Sequence, residues 1–236
     1  MIILAFDGTA RSASVAVTDD ERLLALYNID NGLTQSELLM PMAESILKSL
    51  KLSFSDVELL TTAVGPGSFT GVRIGVSLIK GIAFGKNIPC VAVSTLEEIC
   101  ESITPLEGIL IHCMDARRGQ IYTATFESDG ENVKRITEDR AISIDALADE
   151  LKEYKGKKIY LAGDGYAVTK TRLKECGIEV ASTPALLISE NAYSCAMVAL
   201  KKYRNGEYTD DISISPTYLR LPQAERERLE RESAKK

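Results

Sequence analysis

The chain has 236 residues, 45% of them hydrophobic, no tryptophan, and a formal net charge of −6 at pH 7. That length supports one large domain or two modest ones around a real core. The acidic balance excludes a basic nucleic-acid footprint of the chain's own, so a role on tRNA or DNA needs a partner to supply positive surface.

"IILAF" runs apolar into Asp7-Gly8-Thr9, and "SASVAV" then alternates with period two, so residues 2–18 read as strand, turn, strand. The start carries no basic leader and no apolar stretch long enough for a signal peptide or a membrane span, so a soluble, cytoplasmic protein is expected. Thr34 and Glu37 make a capping box ahead of a helix near 34–50. Its apolar stripe is Leu38, Leu39, Met42, Ile46, Leu47 and Leu50, and Pro41 is expected to kink its first turns. "VELLTTAV" reads as a buried strand running into "GPGSFTGVRIG", Gly65 to Gly75, where Ser68 or Thr70 can cap a helix through about Gly85. "CVAV" is a strand, and Ser94 with Glu97 repeats the capping box before a helix near 95–103.

After Pro105 a similar order returns. "GILIHCMD" ends on Asp115, "ARRG" turns, and "QIYTATF" alternates. A helix near 144–153, the strand "KIYLAG", a helix near 166–175, the strand "IEVAS" and a long helix from Ser189 to Gly206 follow. Two α/β halves emerge, each opening on a hairpin whose first strand ends in Asp. The expected lobes are 1–104 and 105–188, with the helix near 189–206 packing back on the first and a charged tail over 222–236.

A strand ending in Asp-Gly-Thr has the shape of a first phosphate loop, and it is equally a common turn. The second half should supply a glycine-rich partner loop, yet offers "MDARRG", where Arg117 and Arg118 crowd a phosphate's approach while being able to bind one. "LAGDGYA" serves either as an adenosine-side turn or as a plain strand-to-helix connection. The glycine stretch is not a P-loop, because Val72 and Arg73 follow Gly71 where Lys and Ser or Thr are required. Its glycines recur every four residues, at 67, 71 and 75, and each helical Gly costs about 1 kcal/mol relative to Ala. Close approach of another backbone compensates, either the chain's own sheet or another subunit. The five scattered cysteines form no CxxC pair, which fits a reducing cytosol without a zinc ribbon. The lone His112 lies in an apolar run and reads as a core residue, so no metal site is expected.

On "GPGSFTGVRIG", "KGIAFG", "ILAFDGT", "VSTLEE", "MDARRGQIY" and "PTYLR", in that family's set, the chain resembles the TsaB (YeaZ) family over about residues 1–221. It departs at Gly8-Thr9-Ala10, where the family has an Asp-Thr-Ser type turn, and at Gln35, where it often has His. The resemblance implies an actin-like (ASKHA) α/β fold of two related lobes. It implies a non-catalytic scaffold that pairs with TsaD and joins TsaE in making threonylcarbamoyladenosine on tRNA, touching tRNA only through the complex and also forming homodimers. The contact surface is then expected on the helices near 34–50 and 69–85, through Leu38, Met42, Ile46, Gly67, Gly71 and Gly75. No cofactor is expected; any residual, weak ATP or ADP contact, without turnover, would fall on Asp7, Gly8, Thr9, Asp115 and Arg117. The rival readings are an ATP-dependent phosphotransferase of the same fold and, last, a metallopeptidase, which lacks its H-x-x-x-H.

Overall fold

The first strand sorts its side chains into two cores. In the computed structural model, which describes residues 1–117 and 119–220, β1 (Ile2–Asp7) sends Ile3 and Ala5 to one face and Leu4 and Phe6 to the other, all fully buried. A strand apolar on both faces belongs to a sheet covered on both sides. β1 is the middle of a five-stranded sheet, order β3-β2-β1-β4-β5. Its other members are β2 (Ala13–Asp19), β3 (Arg22–Ile29), β4 (Leu59–Ala63) and β5 (Cys90–Val93). β2 and β3 join antiparallel, β4 and β5 parallel. Helices α1 (Gln35–Ser49) and α2 (Phe69–Ala83) cover the face of Leu4 and Phe6, while α6 (Ala192–Arg204) covers that of Ile3 and Ala5.

The second sheet has the order β10-β6-β7-β8, with β9 also on β7. It is built from β6 (Gly108–Asp115), β7 (Gln120–Ser128), β8 (Val133–Arg135), β9 (Arg140–Ser143) and β10 (Ile159–Ala162). Leu110 and Met114 face α3 (Thr95–Ile103); Ile109, Ile111 and Cys113 face α4 (Ile144–Leu151) and α5 (Tyr166–Glu175). Helices α3 and α6 therefore lie between the two sheets. Asn191, the N-cap of α6, donates to the Ser102 hydroxyl at 3.0 Å, and Lys201 pairs with Glu101 at 2.7 Å.

Several expectations need adjustment. The Thr34–Glu37 box is made in both directions. The Ser94–Glu97 box is not: Ser94 caps Leu96 N–H, while Glu97 reaches across to Lys202 of α6 at 2.8 Å. Helix α1 runs as one element through Pro41, which sits on its exposed side. "IEVAS" is not a strand, since the Ala181 N–H to Ile159 carbonyl bond is not continued into a ladder. Strands β3, β8 and β9 carry too few buried side chains to stand out as apolar runs.

Candidate functional site

Two Asp turns face each other across a cleft between the lobes. At the end of β1, Asp7 accepts both the Thr9 N–H (2.8 Å) and the Thr9 hydroxyl (2.6 Å) on Oδ1. At the end of β6, Asp115 accepts the Arg117 N–H at 2.7 Å in the same way. Both are Asx turns, in which a side-chain carboxylate replaces a backbone acceptor. The pseudo-repeat read from the sequence thus extends to hydrogen-bond detail.

The glycine stretch closes over the first turn. Ser68 N–H donates to the Thr9 carbonyl at 2.7 Å, and the Ser68 hydroxyl caps α2 through Gly71 N–H. A Cβ at Gly71 would strike the Gly8 carbonyl oxygen, one at Gly67 would lie 2.5 Å from the Thr9 carbonyl oxygen, and one at Gly75 would lie 2.5 Å from Thr62 Oγ1. On the same two helices, Leu38, Met42 and Ile46 are buried against the first sheet's core. These findings correct the assignment of the apolar stripe and glycine groove to a subunit contact: all six residues pack against their own chain. The sides of α1 and α2 that remain open carry Pro41, Glu44, Arg73, Ser77 and Gly81, with Phe84 beyond the end of α2 at 78% exposure.

The cleft measures about 870 Å³. Of the five residues expected to touch phosphate, Thr9, Asp115 and Arg117 line it. Asp7 and Gly8 do not, which corrects their assignment: Asp7 is fully buried behind its own turn, and Gly8 is covered by Gly71 and Gln35. Arg117 occupies the left-handed position, φ +63°, where a phosphate loop would carry glycine. Arg118 and the tail lie outside the described residues. Among the described residues no group of three or more His, Cys, Asp or Glu side chains is placed to hold a metal ion.

The C-terminal "PTYLR" segment straps the cleft. Thr217 N–H donates to the Val64 carbonyl at 2.8 Å. Arg73 Nε donates to the Tyr218 hydroxyl at 2.7 Å and its guanidinium lies over Phe69, whose ring stacks on Tyr218 at 5.0 Å. Arg220 then crosses to the second lobe, donating to the Ala116 carbonyl at 3.2 Å and lying over the Tyr122 ring. The sequence marked this motif without indicating that it spans the lobes.

Behind the turns the fold gathers ionisable side chains that no sequence motif joins: Asp7, Glu98, His112 and Glu190, all buried, and Asp164 at the cleft. His112 and Glu190 are almost wholly buried and 3.4 Å apart. Burial, then the Glu190 carboxylate, pushes Asp7 up to about 6; Asp164, open to the cleft on one side, is pushed up to about 6 by its partial burial and by Glu190. Burial, with Asp7 and Glu190 nearby, raises Glu98 well above the usual carboxylate range. Nothing local marks Glu98 as buried, because a Glu in the first turn of a helix normally faces water and complements the dipole.

The fold and the cleft together define a two-lobed α/β protein: two sheets, each opening on an Asp turn, with two helices between them. The chain belongs to the family described as TsaD: tRNA N6-adenosine threonylcarbamoyltransferase, matched over residues 34–228. It is 29% identical to the tRNA threonylcarbamoyladenosine biosynthesis protein TsaB of Bacillus subtilis (95% of this chain, 96% of that one). It is 28% identical to TsaB of Escherichia coli (93% and 95%). Its fold matches the solved structure of YeaZ from Pseudomonas aeruginosa with a TM-score of 0.75 at 22% identity, covering 92% of this chain and 99% of that one. The resemblance read from the sequence motifs, to TsaB (YeaZ), is borne out.

Proposed function

We propose that this chain is a non-catalytic subunit in the synthesis of threonylcarbamoyladenosine next to the anticodon of tRNAs. It pairs with TsaD, which transfers the threonylcarbamoyl group, and TsaE joins the assembly in the cytoplasm. The observation that carries the reading is the similarity, over more than nine-tenths of the chain, to proteins named for this biosynthesis. Two further features support the scaffold role. Asp7 is closed away from the cleft, and Arg117 stands where a phosphate loop needs glycine. The net charge of −6 fits a subunit that meets tRNA only through its partner. Among the described residues no helix is long and apolar enough to cross a membrane.

Association with TsaD and with a second copy is assigned to the open sides of α1 and α2, where Phe84, Ile74 and Leu78 retain exposed apolar surface. ATP or ADP in the cleft would be held at its rim by Thr9, Asp115 and Arg117 without hydrolysis. The deciding experiment is reconstitution of tRNA modification from the cognate TsaD and TsaE with and without this chain. Dependence of product on the chain, with no ATP turnover by the chain alone, is the expected result. Robust ATPase activity of the purified chain that Asp7→Ala abolishes would overturn the scaffold reading.

A further inference from the structure

The ionisable side chains behind the turns, four of them buried and Asp164 open to the cleft, come from every layer that meets between the lobes. Asp7 ends β1 of the first sheet, and His112 lies in β6 of the second. Asp164 follows β10, Glu98 belongs to α3, and Glu190 precedes α6. Asp7, Glu98, His112 and Glu190 are each at most 1% exposed. Of the four carboxyl groups only Glu190 approaches the one imidazole, at 3.4 Å. Among the described residues, no Lys or Arg figures among the groups acting on Asp7, Glu98 or Asp164. The other titratable neighbours are Asp115, at the cleft, and the thiols of Cys113 and Cys195, which burial keeps protonated. Asp7 Oδ2, Glu98 Oε2 and His112 Nδ1 have no hydrogen-bond partner among the described residues. A buried carboxylate oxygen without a donor is far costlier charged than neutral, and like charges at this range cannot all ionise together.

The group is wired to both faces of the cleft. Asp7 Oδ1 holds the Thr9 turn, and Asp164 Oδ1 accepts the Asp115 N–H at 3.0 Å. Asp164 N–H in turn donates to Glu190 at 3.3 Å, and Glu98 accepts the Asn191 N–H at 3.1 Å where α6 begins. We infer that Asp7, Glu98 and Asp164, gathered around His112 and Glu190, form a proton-held latch between the lobes: the protonated carboxyls of these three keep the seam closed, and release of their protons to solvent sets carboxylate against carboxylate and loosens both Asp turns. The cleft aperture then follows pH. This inference does not depend on the partner or the reaction proposed above.

Amide hydrogen exchange of the full chain, corrected for the intrinsic pH dependence of exchange, tests it between about pH 5 and about pH 8. Protection of residues 7–10, 113–116 and 163–165 should fall about tenfold or more at the higher pH, the effect of one pKa unit or more on the closed state. Amides of β4 should not follow. Asp7→Asn and Glu98→Gln, which keep shape and remove the titration, should flatten the response. Should either variant fail to fold, the infrared carbonyl band of protonated carboxyls in the wild-type chain decides instead. Its presence at neutral pH and loss as protection falls supports the latch. Equal corrected protection at both pH values, absence of that band at neutral pH, or an undiminished response in the folded variants would overturn it.

Discussion

Gly71 lies against the carbonyl oxygen of Gly8, leaving no room there for a side chain. The start of α2 is thereby pressed onto the turn that ends β1, and the glycine stretch serves the chain's own packing. An obstructing backbone atom cannot swing aside as a flexible side chain would. Gly71→Ala should therefore destabilise the fold by about 1–3 kcal/mol, and Gly71→Leu by more. Gly81, on the open side of the same helix with nothing within 4 Å of where a Cβ would sit, supplies the contrast: Gly81→Ala should stabilise by up to about 1 kcal/mol. Urea denaturation of the three variants checks both signs.

The raised acids Asp7 and Asp164, both at about 6 against an ordinary 3.8, bind more protons in the folded than in the unfolded chain. Their stabilising effect is fully present below about pH 4 and is lost as pH rises through about 6. For Asp7 alone the span corresponds to about 3 kcal/mol. Asp7→Asn preserves an acceptor for Thr9 and cannot ionise, so it should gain stability over wild type above about pH 6 and show a flatter profile. Melting temperatures across the pH range measure it; an Asn variant less stable than wild type at about pH 8 would contradict the assignment.

Tyr218 fastens the strap through Arg73 and Phe69. Tyr218→Phe keeps the stacked ring and loses one exposed hydrogen bond, which should cost at most about 1 kcal/mol. Tyr218→Ala loses both, and trypsin should then cut after Arg220 several-fold faster while the melting temperature falls only slightly. Limited proteolysis distinguishes the two variants.

Phe84, 78% exposed, presents apolar surface beside the open side of α2. Phe84→Ser should leave folding unchanged and weaken both self-association and TsaD binding by about tenfold or more if this residue anchors the contact. Sedimentation and pull-down against TsaD read the two effects separately.

Much of the architecture was legible in the order of residues. The alternation of "SASVAV" and "QIYTATF", the cap at Ser68 and the period of the apolar stripe in α1 each depend on neighbours within a few positions. The pairing of two Asp turns could be read the same way, because each turn is closed by an N–H two residues on. The direction in which Leu38, Met42 and Gly71 face was not legible. An apolar stripe fits a core and a partner equally well, and only the placement of β1 beneath it decides.

By itself, then, the sequence determined the family, the two-lobed α/β plan and those elements marked by strong periodicity or caps, since these follow from motifs contiguous in the chain. The tertiary structure alone decided that Asp7 is shut behind its turn rather than offered to the cleft. It alone joined Arg220 to Ala116 across 104 positions and brought Glu98, His112, Asp164 and Glu190 around one seam. Burial and charge coupling depend on distances in space, and residues that lie far apart along the chain carry no local mark of them.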